Sequence, residues 1–239
     1  MALFAPMMLT QPIAAQERPA IGVEVNSDEN RRGLSWSEGK VSPSADIFVT
    51  RGALEASGRV VGLRESDRHG GAGVVGDLTL GAGTFIGPVS VRGRVTGHLF
   101  GGAGFNADYF ELGGSAAYTL GPVQVDAGAD YAPSQSAIGG DNLYLHAGAR
   151  AGLPATPWTL LAGVGHSSGK TDDPFRAARL RPGGAYTDWR LGVERITGPV
   201  TLGLDYVGTD VSERAASAFP LADAGHSGDR IVGRVRFSF

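Results

Sequence analysis

The chain has 239 residues, of which 38 are glycine and none is cysteine. The lack of cysteine excludes disulfide frameworks, thiol catalysis and thiolate-ligated metals. A net charge of −3 and a pI near 5.9 exclude a generally basic nucleic-acid binder, and a mean hydropathy of −0.04 is too polar for a bundle of membrane helices.

Residues 1–16 are uncharged and end in Ile13-Ala14-Ala15-Gln16. They read as the apolar stretch and small-residue cleavage region of a secretory signal peptide that lacks a basic n-region. The expected mature domain is 17–239.

From Ala20 onward, apolar residues recur at every second position. Side chains alternate faces along a strand, so this period marks one apolar and one polar face. About twelve such segments follow, near 20–26, 44–51, 53–63, 74–84, 88–99, 108–120, 122–131, 142–153, 158–166, 185–196, 199–210 and 228–239. In the eleventh, Val200, Leu202, Leu204 and Tyr206 alternate with Thr201, Gly203, Asp205 and Val207. Many segments reach about ten residues, the length of a tilted membrane-crossing strand.

The connections alternate short and long. The short ones are Arg51-Gly52, Phe85–Pro88, Gly121-Pro122, Pro154–Pro157 and Thr197–Pro199, three of them reading Gly-Pro-Val. The long ones, near 27–43, 64–73, 100–107, 132–141, 167–184 and 211–227, are rich in Gly, Ser, Asp and Arg. Short turns at one rim and long loops at the other define a transmembrane up-and-down β-barrel, all antiparallel. Twelve strands put both termini on the periplasmic side. A soluble β-sandwich fits less well, because its loops need not alternate and its hidden face is bulky.

In a barrel the polar face lines the lumen. It carries Arg92, Arg94, Glu111, Asp126, Arg150, Asp188, Arg190, Asp205, Arg230, Arg234 and Arg236 as candidate pore-lining residues. Two roles fit such charges: a constriction that selects solutes, or a set of salt bridges that fills the lumen. Asp28-Glu29 reads as a pair of solvated loop charges. His166 with Ser167 and Ser168 does not form a catalytic set, because neighbours on a strand point to opposite faces. The glycine runs lead into no helix, so they cradle no phosphate. No metal or other cofactor is expected.

The last segment ends with Val235, Phe237 and Phe239 on its apolar face. This ending resembles the assembly signal of bacterial outer-membrane barrels, which implies recognition by the barrel-assembly machinery. The wider chain resembles the TorF-type porin family. The matches run in order from Ser27-Asp28-Glu29-Asn30-Arg31-Arg32-Gly33-Leu34-Ser35-Trp36-Ser37, through Asp108-Tyr109-Phe110-Glu111, to Tyr186-Thr187-Asp188-Trp189-Arg190-Leu191-Gly192-Val193. Glu29 stands where that family has an aromatic residue, and Trp36 where it has Gln. The resemblance implies a small barrel in the bacterial outer membrane, embedded in its lipid and passing solutes. The expected function is a narrow passive porin for small polar solutes. A closed barrel whose loops bind an outside partner is the alternative, and an outer-membrane enzyme a distant third.

Overall fold

In the computed structural model, which describes residues 19–239, twelve antiparallel strands close into one barrel. The expected leader at 1–16 lies outside the described residues. In chain order, β1 spans Ala20–Asn26, and β2 (Asn30–Arg31) and β3 (Leu34–Ser35) form a small separate hairpin. The wall then continues with β4 (Ser42–Arg51), β5 (Leu54–Ser66), β6 (Ala72–Ile86), β7 (Val89–Gly101) and β8 (Tyr109–Leu120). It is completed by β9 (Val123–Gln135), β10 (Gly140–Gly152), β11 (Trp158–Ser168), β12 (Tyr186–Thr197), β13 (Val200–Thr209) and β14 (Arg230–Ser238). Each strand pairs with its chain neighbour, and β1 pairs with β14 to close the ring, Glu24 opposite Arg236.

The twelve wall strands are the twelve segments legible in the sequence. Several run beyond their expected ends, so the connections near 64–73 and 132–141 shrink to single tight turns at Asp67–His69 and Ser136–Ile138. Val61, Leu63, Val75, Tyr109 and Tyr186 project inward at the long-loop end and are buried there. The inner face therefore changes character along its length, from apolar near the long loops to charged toward the short turns.

The outer face is apolar on every wall strand. Exposed Ile21, Ile47, Val60, Leu80, Val95, Leu112, Val125, Leu145, Leu160, Leu191, Leu204 and Ile231 take one position each around the ring. Charges inside and aliphatic side chains outside invert the pattern of a water-soluble domain and match a wall facing lipid. Closure satisfies every strand edge, as hydrocarbon surroundings require.

The first long connection does not stay outside. Residues 28–37 turn into the lumen, and the hairpin β2–β3 lies within the ring. Its turn is Arg32-Gly33, both with positive φ (52° and 73°), the geometry of a two-residue hairpin turn. Gly33 is held against the far wall: a side chain there would lie 2.7 Å from Asp188 Cβ and 2.8 Å from the Gly208 carbonyl oxygen. Replacing Gly33 by Ala should therefore cost more than about 1 kcal/mol, because both the backbone angle and the space oppose a Cβ. The check is the urea midpoint of the folded, heat-modifiable barrel, which should fall while β-sheet circular dichroism persists.

Candidate functional site

The hairpin is held by charge. Glu29 has no solvent exposure, and both of its oxygens are bound by Arg59 of β5 (2.8 and 3.1 Å). Arg31 reaches Glu29 through Nε (3.0 Å) and grips Asp77 of β6 with its two terminal nitrogens (3.1 and 2.7 Å). The planar guanidinium fork matches a carboxylate at two points, which a lysine would not. Arg32, at the hairpin tip, meets Glu111 of β8 at 2.6 Å and lies over the Tyr144 ring at 4.4 Å. Asp28, at the hairpin base, is bound by Arg230 of β14 at 2.7 Å. Four charged residues within 28–32 thus tie one loop to opposite sides of the wall.

This corrects the reading of Asp28-Glu29 as solvated loop charges: both are buried and paired. The loop's sequence is polar, so composition alone places it in water. The lumen offers the same polar partners without water, and that is where the chain goes. Leu34 and Trp36 carried the missed signal, since a solvated loop has no use for them. Both are buried, packed with Val61, Leu63, Val75, Tyr109 and Tyr186 in an apolar core inside the long-loop end. Trp36 also stacks under the Arg31 guanidinium at 4.2 Å.

The pore-lining candidates all project inward, but they do not form one bare positive wall. Arg236 binds Asp46 of β4 at 2.6 and 2.9 Å, and Arg234 binds Glu194 of β12. With Arg230 on Asp28, the three arginines of β14 serve three different carboxylates. Arg190 grips Asp205 at 2.8 and 2.9 Å, Arg94 binds Asp130 at 2.5 Å, and Arg92 lies 3.3 Å from Glu55. Arg150 is 3.5 Å from Glu194, and Asp126 is 4.0 Å from His146. Glu111 does not pair with its sheet neighbours Arg92 and Arg94; it takes Arg32 from the hairpin. Asp188 accepts from the Tyr144 hydroxyl at 3.2 Å. Val235, Phe237 and Phe239 are exposed on the outer side. His166 is exposed while Ser167 is buried, so the two face opposite ways.

Glycine makes room for these pairs. A Cβ at Gly113 would collide with Asp130 and Arg94, one at Gly192 with Asp205, and one at Gly165 with the Tyr144 ring. Over each of these three glycines a neighbouring strand's polar side chain lies flat.

Two more arginines lock the long loops over the hairpin. Arg68 is fully buried and donates to the carbonyls of Ser35 (2.9 Å), Arg179 (3.2 Å) and Asp223 (3.3 Å) and to the Ser227 hydroxyl (3.2 Å). Arg179, equally buried, donates to the carbonyls of Ala137 (2.6 Å) and Ala107 (3.1 Å) and to His69 Nδ1 (3.2 Å). Burial lowers both guanidinium pKa values to about 10, so both remain charged at neutral pH. Because Arg179 can only donate, His69 Nδ1 accepts and its proton sits on Nε2. Trp36 and Phe100 rings pack on the same imidazole at 4.2 and 4.7 Å.

Residues 20–229 match the family described as "Bacterial protein of unknown function (Gcw_chp)", and the chain belongs to that family. No curated protein matches the sequence. Among solved structures, the chain is similar to the KdgM porin, with 7% identity, 92% of this chain and 99% of that one covered, and a TM-score of 0.60. It is also similar to the COG4313 outer membrane channel from Pseudomonas putida F1, with 13% identity, coverage of 96% and 99%, and a TM-score of 0.59. The shared feature is the fold, a barrel of the outer-membrane kind.

Two predictions follow from the ion pairs and the loop lock. Arg31→Met leaves Asp77 buried with only His98 beside it (2.7 Å) and should cost about 3–5 kcal/mol, whereas Arg31→Met with Asp77→Leu should recover most of that loss. A double-mutant cycle on urea midpoints measures the coupling. His69 is held neutral, well below the ordinary value of 6.5, first by burial and then by Arg179, Arg68 and Arg31. The unfolded loops bind a proton that the folded lock refuses, so stability of the lock is lost as pH falls below about 6.5. Protection factors for hydrogen exchange in 67–71 and 169–185, corrected for the intrinsic pH dependence of exchange, should fall between pH 7.5 and pH 5, and His69→Gln should flatten that response.

Proposed function

We propose that the protein is an outer-membrane channel for the passive passage of small polar solutes, with the β2–β3 hairpin as its constriction. The single observation that carries this reading is the hairpin itself. It is held in the lumen of a lipid-facing barrel by polar side-chain pairs, several of them reaching the charged wall below. The likeness to a porin and to an outer-membrane channel supports it. In this reading the long loops face outside, the short Gly-Pro turns and both termini face the periplasm, and Val235, Phe237 and Phe239 present the strand that the assembly machinery recognises. The charged wall gives solutes polar contacts as they pass, and no enzymatic step is needed.

A closed barrel whose outer loops bind a partner is the second reading. The apolar core beneath the long loops favours it, since a dry core obstructs water. Planar-bilayer recordings of the purified barrel separate the two. The native chain should show small conductance steps, and a variant with 28–40 replaced by a short Gly-Ser linker should show steps several-fold larger. Silence from both folded barrels would select the closed reading.

A further inference from the structure

The hairpin leans toward β5, β6 and β8, where its partners Arg59, Asp77 and Glu111 stand. On the opposite side it leaves a cavity of about 100 Å³ walled by the hairpin and by β10 to β14. That space takes several waters or one small solute. The cations on its wall are already engaged: Arg32 with Glu111, Arg190 with Asp205 and Arg234 with Glu194.

Asp188 is different. The residue is 7% exposed and lines this cavity, yet no arginine, lysine or histidine among the described residues pairs with its carboxylate. Its side-chain partner is the neutral Tyr144 hydroxyl at 3.2 Å, and its Oδ2 has no hydrogen-bond partner there. Three further buried polar atoms on the same cavity also lack a hydrogen-bond partner, Asn30 Nδ2, His146 Nε2 and Arg234 Nε; His146 lies 3.9 Å from Asp130, and Arg234 Nε 4.0 Å from Glu24. A buried carboxylate without a cation is costly, and so is a buried donor without an acceptor. One ligand answers both needs if it carries a positive charge and an oxygen.

We propose that this cavity binds a small solute bearing a protonated amine and a neighbouring oxygen. Asp188 receives the ammonium group, and Asn30 and Arg234 donate to the oxygen. The assignment rests on the channel reading and names the solute class that the channel passes. An anion is disfavoured, because it would sit against a buried carboxylate that no arginine, lysine or histidine among the described residues pairs with. A metal ion is disfavoured too, because among the described residues no group of three ligating side chains is gathered.

The test is calorimetric titration of ethanolamine into the purified barrel in detergent, with ethylammonium and glycolate as comparison solutes. Ethanolamine should bind saturably, ethylammonium more weakly for want of the oxygen, and glycolate not at all. Asp188→Asn should weaken ethanolamine at least about tenfold, the scale of a lost charge-assisted hydrogen bond. Tyr144→Phe removes the competing hydroxyl and should leave ethanolamine binding unchanged or tighter. If Asp188→Asn does not fold, Tyr144→Phe and the order of the three solutes still decide. Glycolate binding as well as ethanolamine, unchanged affinity in folded Asp188→Asn, or no saturable ethanolamine binding would each overturn the site. Bilayer recordings of the same preparation keep the two ideas apart. A conducting barrel that fails to bind ethanolamine loses the site alone, and a silent barrel that binds it loses the channel alone.

Discussion

Glu29 is the charge on which the interior is organised. A carboxylate with no solvent exposure is tolerable only where cations replace the lost water, and Arg59 and Arg31 do so. Those two arginines carry the constraint outward. Arg59 belongs to the wall, and Arg31 is already committed to Asp77 on the next strand. Asp77 in turn holds His98 at 2.7 Å. One buried anion thus fixes a hairpin, three wall strands and a histidine relative to one another. Such a pair adds little net stability compared with a well-packed apolar substitute, but its geometry is specific. It selects one position of the loop in the lumen over the many that a greasy plug would allow.

The barrel faces a different medium on each surface, and the sequence meets the two with different means. Against lipid, large aliphatic residues at every second position suffice. Inside, long charged side chains must lie across a narrow space, and small residues beneath them give the room. Some of the wall's inward glycines serve this purpose. At Gly113, Gly165 and Gly192 the reason is the neighbour's side chain and not the glycine's own backbone.

The wall was legible because its signal is local. Alternation along Val200–Thr209 or Gly140–Gly152 needs no knowledge of the partner strand, and Gly-Pro turns announce their own geometry. The inward direction of Arg230, Arg234 and Arg236 was legible for the same reason. Their partners were not. Arg230 finds Asp28 across 202 residues and Arg236 finds Asp46 across 190, and periodicity cannot say which carboxylate a long side chain will reach. The folded-in hairpin was hidden by a different cause. Ser27-Asp28-Glu29-Asn30-Arg31-Arg32 has the composition of a wet loop, and a charged lumen suits that composition as well as water does. Only Leu34, Trp36 and the Arg32-Gly33 turn hint that the segment packs.

Charge pairing also explains the asymmetry of the lumen. The hairpin brings two carboxylates and two arginines, so it changes the lumen's net charge by nothing while redistributing its partners. Arg31 and Arg32 take Asp77 and Glu111 on β6 and β8, and Asp28 and Glu29 draw in Arg230 and Arg59. On the far side, Arg190 and Arg234 are occupied by Asp205 and Glu194. Asp188 lies between these two sets, next to the hairpin tip, and no remaining cation of the wall reaches it. The tip cannot move closer to serve it, because the approach at Gly33 is already so tight that a Cβ there would lie 2.7 Å from Asp188 Cβ and 2.8 Å from the Gly208 carbonyl oxygen. The same contact that seats the plug therefore keeps one buried carboxylate unpaired, on the side of the lumen where space remains.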